Sequence, residues 1–257
     1  MAKQQTQRSA KPRFVGASPI GASMKGVVLA GGNGTRLRPL TNLINKSLLP
    51  VFDRALIEYP LDTLLHSGIK DVLIVSGREH SGDFIEYLGS GRDFGANFTY
   101  RVQEEAIGIA HALLLAEEFV GKDLMTVVLG DNIFEDNFPK AIKTFSSGAR
   151  IFLKKVSDPE RFGVAILKGK LVSSIIEKPK KATSPFAVTG LYQYDSKVFD
   201  IIRTLKPSAR GEFEITDVNN AYIQKKEMKA EFVKGFWVDA GTFHSLAEAV
   251  EWAKKRK

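Results

Sequence analysis

Apolar residues follow two rhythms along this chain. In its first half, short blocks of β-branched, aliphatic and aromatic residues at 26–30, 71–76, 97–103 and 124–129 read as strands. Between them, apolar positions recur at helical spacing: Ile57, Leu61, Leu64 and Leu65 share one face, as do Ile109, Leu113, Ala116 and Val120. Strands alternating with helices predict an α/β fold. Its sheet would be Rossmann-like, mixed but largely parallel, with helices covering both faces.

After Gly148 the blocks crowd together. "ARIFLKKV", "FGVAILKGKLVSSII" and "FAVTGLYQY" read as closely spaced strands, with Lys168-Gly169-Lys170 as a hairpin turn. Helical spacing returns at Val198, Ile201, Ile202 and Leu205, again over 215–224, and at Phe243, Leu246, Ala247 and Val250. With no repeat and no low-complexity linker, the pattern predicts one domain over 24–257 carrying a β-rich insertion.

Composition narrows this picture. With 257 residues, 44% of them apolar, the chain can bury a large core. No apolar run approaches the ~18 residues of a membrane span, so no membrane partner is expected. The lack of cysteine fits a reducing compartment, and a cytoplasmic setting is expected. The net charge of +8 invites a nucleic-acid reading, but its distribution argues against one. Lys3, Arg8, Lys11 and Arg13 stand in residues 1–23 without an acid, and Lys254, Lys255, Arg256 and Lys257 close the chain. The remaining cations balance the 29 acids. Residues 1–23 are therefore expected to be a flexible basic extension, and no nucleic-acid partner is expected. The four histidines, at 66, 80, 111 and 244, lack zinc spacing.

The first predicted strand runs into "LAGGNGTRLRPLTNLINKSLLPV". A P-loop needs Gly-x4-Gly-Lys-Ser/Thr, which is absent. A dinucleotide fingerprint begins at Gly32-Asn33-Gly34, but Leu37 stands where a small residue should let helix and strand pack. Asp53 lies where a ribose-binding acid would be sought, yet Pro39 and Pro50 leave no room for the intervening helix and strand. What remains is a glycine cradle whose N–H groups can approach an anion, a guanidinium at Arg36 and an ammonium at Lys46. This combination describes a seat for a triphosphate or pyrophosphate.

The same stretch resembles the signature of the sugar-1-phosphate nucleotidyltransferases, Gly-x-Gly-Thr-Arg-Leu-x-Pro-Leu-Thr followed by a Lys before Leu-Leu-Pro-Val. "RVQEEAIGIAHAL", "VVLGDNIF", "DPERFGVA", "EKP", "FAVTGLYQYD", "LKPSARGEFEITDVN" and "WVDAGT" continue the resemblance in the family's order, across nearly all of residues 24–243. It implies transfer of a nucleotidyl group from dTTP to glucose 1-phosphate, with the same chemistry on UTP or another sugar 1-phosphate as the alternative, Mg²⁺ as cofactor, and assembly into a homo-oligomer. It also makes the β-rich insertion a sugar-binding one.

Carried over position by position, the resemblance implies nucleotide contacts from Leu29, Gly31, Gly32, Gly34, Thr35 and Arg36. Gln103, Gly108 and Asp131 complete them. Arg36, Lys46 and Lys178 are the expected catalytic residues. Asn132, Gly163, Glu177, Lys178, Thr189, Gly190 and Arg210 would bind the sugar phosphate, with backbone closing on the ring at Gly163 and Thr189-Gly190. Asp131 and Asp239 would hold the metal. Each of these acids ends an apolar run, which places it at the C-terminal edge of a strand, where open α/β sheets bind ligands. Taken alone, either is equally well a helix cap or a turn residue. The Gln103 amide can donate and accept at the pairing edge of thymine or uracil, and does not by itself separate dTTP from UTP.

Three departures from the family pattern stand out, of which the first and third bear on the fine contacts to base and sugar. Gly108-Ile109-Ala110-His111-Ala112 replaces the family's Gly-Leu-Ala-Gln-Ala, Phe162 stands where Tyr is common, and Ser47 follows Lys46 where Gln is common. The chain ends soon after "WVDAGT", as short members do, so the regulatory site of longer members is not expected. A silent nucleotide-sugar sensor on the same fold would be expected to lose Arg36, Lys46, Asp131, Lys178 or Asp239; all five are present.

Overall fold

A computed structural model describes residues 23–256; most of the basic extension, residues 1–22, lies outside them. In chain order the strands are β1 (Met24–Ala30), β2 (Pro50–Val51), β3 (Arg54–Ala55), β4 (Asp71–Gly77) and β5 (Asn97–Gln103). Next come β6 (Leu124–Leu129), β7 (Asn132–Phe134), β8 (Ala149–Lys155) and β9 (Gly163–Lys168). β10 (Leu171–Glu177), β11 (Phe186–Tyr194), β12 (Met228–Phe232) and β13 (Trp237–Asp239) complete them.

Nine strands form one sheet, ordered β10-β9-β11-β6-β1-β4-β5, with β8 also on β11 and β12 beyond it. β6, β1, β4 and β5 are parallel; β11 runs antiparallel to β6. The strands expected as a β-rich insertion thus continue the central sheet. In β1, Val27 and Leu29 pack on one face and Val28 and Ala30 on the other. Burial on both faces is why this strand reads as an unbroken apolar run. Helices Ile109–Leu114, Lys197–Thr204 and Ile215–Gln224 cover the first face. Glu58–Leu65, Ser81–Leu88 and Pro139–Lys143 cover the second. Each fully buried aliphatic side chain in these layers contributes roughly 1.5–3 kcal/mol.

The helical face expected over 109–120 is divided. Ala116 N–H bonds the Leu113 carbonyl, a tighter i→i+3 turn, and a short helix Glu117–Val120 follows. A third apolar cluster, with Val51, Leu56, Tyr59, Ile133 and Val238, packs under helix Phe243–Lys254. It braces a small antiparallel ladder of β7 and β13 in which Asp239 pairs with Asn132. No helix among the described residues is long and apolar enough to cross a membrane.

Candidate active site

The parallel strands present their C-terminal ends along one edge. Leu29 is in register with Leu129 and Val75, and Gly77 with Gln103, so the loops after β1, β4, β5 and β6 emerge together. Gly34 turns the first loop at φ 59°, where an added Cβ would lie 2.8 Å from Thr41 Cγ2. The Thr41 hydroxyl donates to the Gly34 carbonyl at 2.8 Å. A 3-10 turn over Thr35–Leu37 then buries Leu37 and leaves Arg36 on the cleft.

The ten-residue gap before Lys46 now has a physical cause. Asn45 donates from Nδ2 to the Ala30 carbonyl (3.1 Å) and accepts at Oδ1 from Ser47 N–H (2.9 Å). This ties the turn Lys46–Leu48 to the end of β1 and returns the second cation to the glycines. Lys46 lies against Gly32, where a Cβ would sit 3.4 Å from its Cε.

Asp131 follows β6 directly, and the β7–β13 ladder brings Asp239 beside it; Ala240 N–H bonds the Asp131 carbonyl at 2.8 Å. Lys46 Nζ contacts Asp131 Oδ2. Gly241 closes the group: a Cβ there would be 2.6 Å from Asp239 Oδ1 and 2.7 Å from Arg36 Nη2. Burial pushes the Asp239 carboxyl up to about 6, with the Asp131 charge adding to it and Lys46 and Arg36 opposing. Burial also raises Asp131, but Lys46 and the Asn132 amide outweigh it and hold this carboxyl below its ordinary value. For Lys46, burial disfavours the charge, and the two aspartates more than restore it. Among the described residues no group of three His, Cys, Asp or Glu side chains could hold a metal by itself. Two mutually repelling carboxylates, Asp131 buried and Asp239 half-buried, do suit a hard cation that keeps other oxygens as ligands.

Two clefts meet at this point. Leu29, Gly31, Gly32, Gly34, Thr35, Arg36, Lys46, Gln103, Gly108 and Asp131 all line the first. Asn132, Gly163, Glu177, Gly190 and Arg210 line the second, and Lys178 and Asp239 belong to both. Glu177 accepts from Thr216 Oγ1 at 2.6 Å, and Arg210 is held by Glu214 at 2.8 Å. Lys178, at φ 38°, is fixed by its N–H to the Phe162 carbonyl (3.0 Å).

Three of the expected residues have side chains or conformations that also serve the protein frame. Thr189 is buried and gives its hydroxyl to the Phe152 carbonyl at 2.9 Å; it is absent from the cleft wall, which Val188 and Gly190 form. Gly108, at φ 117°, lines the first cleft and is also required by the packing of the protein itself, since a Cβ would lie 2.4 Å from the Phe213 carbonyl oxygen. Asn132 accepts at Oδ1 from Gly190 N–H (2.9 Å) and Trp237 Nε1–H (2.8 Å), and donates to Asp131 Oδ1 (2.9 Å), so most of its amide serves the frame. Reading the sequence missed Tyr192, Thr216 and Trp237 on the second cleft. All three lie inside segments that carry the resemblance, Tyr192 two positions after Gly190, Trp237 two before Asp239, and Thr216 in "LKPSARGEFEITDVN".

Residues 25–256 match the model of the nucleotidyl transferase family. The chain belongs to that family. It is 43% identical over 238 residues to glucose-1-phosphate thymidylyltransferase of Neisseria meningitidis serogroup A, covering 90% of this chain and 83% of the relative. The enzyme of that name from Mycolicibacterium smegmatis is 44% identical, with 90% and 82% covered. Among solved structures, a Bacillus anthracis chain assigned as a glucose-1-phosphate thymidylyltransferase, in complex with sucrose, superposes with TM-score 0.87 at 50% identity, covering 90% of this chain and 96% of that one. A UDP-glucose pyrophosphorylase complexed with UDP-glucose superposes at 0.80 with 25% identity, covering 91% and 99%. The mixed sheet with its antiparallel additions is thus the nucleotidyl transferase fold.

Proposed function

We propose that this chain transfers a thymidylyl group from dTTP to α-D-glucose 1-phosphate, giving dTDP-glucose and pyrophosphate, with Mg²⁺ as cofactor. The observation that carries the reading is the meeting of the two clefts at Asp131, Asp239, Arg36, Lys46 and Lys178. The relatives' names supply the substrates.

In this reading a phosphate oxygen of the sugar phosphate attacks the α-phosphorus. The bond from that phosphorus to the oxygen bridging toward the β-phosphate breaks, and pyrophosphate leaves with the electron pair. No protein nucleophile is required, only alignment and charge neutralisation. Arg36 and Lys46 bind the departing pyrophosphate over the Gly31–Gly34 backbone. Lys178 and Arg210 neutralise the incoming sugar phosphate so that two anions can approach. Glu177 accepts hydrogen bonds from sugar hydroxyls, Gly163 and Gly190 let backbone close on the ring, and Gln103 reads the base. Asp131 and Asp239 would hold Mg²⁺, which when bound neutralises phosphate charge. A cytoplasmic homo-oligomer belongs to the same reading, testable by light scattering.

A second reading, the same chemistry with UTP, is favoured by the likeness to a UDP-glucose complex and by an amide that serves uracil as well as thymine. The test is pyrophosphate release with glucose 1-phosphate and Mg²⁺ against dTTP, UTP, ATP, GTP and CTP in turn. Release led by dTTP, requiring both sugar and metal, is expected. Release led by UTP would establish the second reading, and none with any nucleotide would end both.

A further inference from the structure

A glutamine that reads a pyrimidine carries an ambiguity. Turned by half a turn about its last bond, the amide exchanges donor and acceptor. One setting complements the N3–H and carbonyl of thymine or uracil. The other complements the bare N3 and exocyclic amine of cytosine. Discrimination therefore needs a second group that fixes the amide.

Gln103 is 5% exposed, and the hydrogen bond its side chain makes among the described residues is from Nε2 to His111 Nδ1, at 3.4 Å. Its Oε1 packs over Gly31, where a Cβ would lie 2.3 Å away. His111 is half-buried on helix Ile109–Leu114, and its ring stacks on Phe213 with centroids 6.3 Å apart. Phe213 is itself pinned through its N–H to Ile107 (2.8 Å) and its carbonyl to Ala110 (3.1 Å). The imidazole is thus held from behind. With the amide set this way Nδ1 accepts from the NH₂ group and the imidazole proton sits on Nε2; the opposite amide setting would need the proton on Nδ1.

We propose that His111 is a positioning residue that locks the Gln103 amide in the setting that reads thymine or uracil and rejects cytosine. This rests on the nucleotidyl-transfer reading, with Gln103 facing the base. A glutamine at position 111, as the family resemblance has it, can also accept through its own oxygen.

The test compares calorimetric binding of dTTP and dCTP, which differ only in the base, to the full chain without sugar phosphate. His111→Leu should lower the dTTP:dCTP affinity ratio by about tenfold, the scale of one hydrogen bond. His111→Gln should stay near the wild-type ratio, and Gln103→Ala should lose the preference. A packing role alone would weaken both nucleotides together and leave the ratio unchanged. If H111L keeps the ratio while Q103A loses it, the lock is overturned but base reading by Gln103 stands. If Q103A also keeps it, Gln103 does not read the base and the lock falls with it. The wild-type protein gives a check that needs no variant: ¹⁵N NMR should show Nδ1 of His111 without a proton, and a protonated Nδ1 would overturn the lock.

Discussion

Lys46 Nζ rests on Oδ2 of Asp131 while Asn132 Nδ2 donates to the other oxygen of the same carboxylate. Both acceptor atoms of the first candidate metal ligand are therefore already engaged. A divalent cation arriving between Asp131 and Asp239 competes with an ammonium, and phosphate oxygens that draw Lys46 away favour its entry. Lys46→Met is expected to tighten metal binding in the absence of nucleotide by roughly tenfold, the lower end of what a charge-assisted hydrogen bond is worth. The same change should lower turnover by orders of magnitude. Manganese titration followed by electron paramagnetic resonance reads the first effect; unchanged affinity would show that Lys46 does not guard the site.

Asp239 sets function against stability. An acid whose pKa is raised in the folded protein contributes stability that is fully present below its unfolded value near 4 and is lost as pH rises through about 6. At pH 7 the charged carboxylate therefore opposes folding. Asp239→Asn keeps the Oδ1 acceptor for Gly241 N–H, now at 2.9 Å, and removes the charge. With chelator present at pH 7, D239N should melt above wild type by about 2–4 °C for each kcal/mol released. The difference should vanish near pH 4, where wild type is protonated too. Activity should fall by orders of magnitude at every pH. A lower melting temperature at pH 7 would show that Asp239 is already neutralised by Lys46 and Arg36.

Gly241→Ala tests the packing of cation against acid. The new Cβ would meet the ends of two side chains, Asp239 Oδ1 and Arg36 Nη2, rather than backbone. Side-chain ends can move, so the fold should survive with a melting temperature close to wild type. The guanidinium and carboxylate would be pushed apart, and kcat should drop at least ~10-fold, since small misplacements at a reacting centre are expensive. Wild-type kcat would mean that the Arg36–Asp239 placement is not used in the chemistry.

Much of this site was legible because its signals are local. The glycine loop follows a strand buried on both faces, Thr41 holds the loop at Gly34 just before Arg36, and Asn45 ties the turn of Lys46 to the strand's end. The meeting of Asp131 and Asp239 was legible only through resemblance. It depends on a three-residue ladder joining segments more than 100 positions apart, too short to leave a periodicity. The burial of the Thr189 side chain is legible from strand alternation. Along β11 alternate residues face opposite ways, so Val188, Gly190 and Tyr192 face the cleft and Thr189 faces away. The use of Gly108 was hidden for another reason, since its partner Phe213 is remote in sequence and only the fold brings it near.

Asn132 joins the two halves of the site, and its removal should be felt in both. Its Oδ1 satisfies the Gly190 N–H on β11 and the Trp237 indole on β13, and its Nδ2 orients Asp131. Asn132→Ala leaves two donors at this buried position without a partner, at about 1–3 kcal/mol each, together with a small cavity. The melting temperature should fall by several degrees, and the fluorescence of Trp237 should shift as its indole loses its acceptor. Asn132→Asp keeps an acceptor for both donors but sets a third carboxylate beside Asp131 and Asp239. That variant should recover much of the stability when metal is present and little of it in chelator. If both variants melt like wild type, the Asn132 bridge is not what holds the β7–β13 ladder against β11.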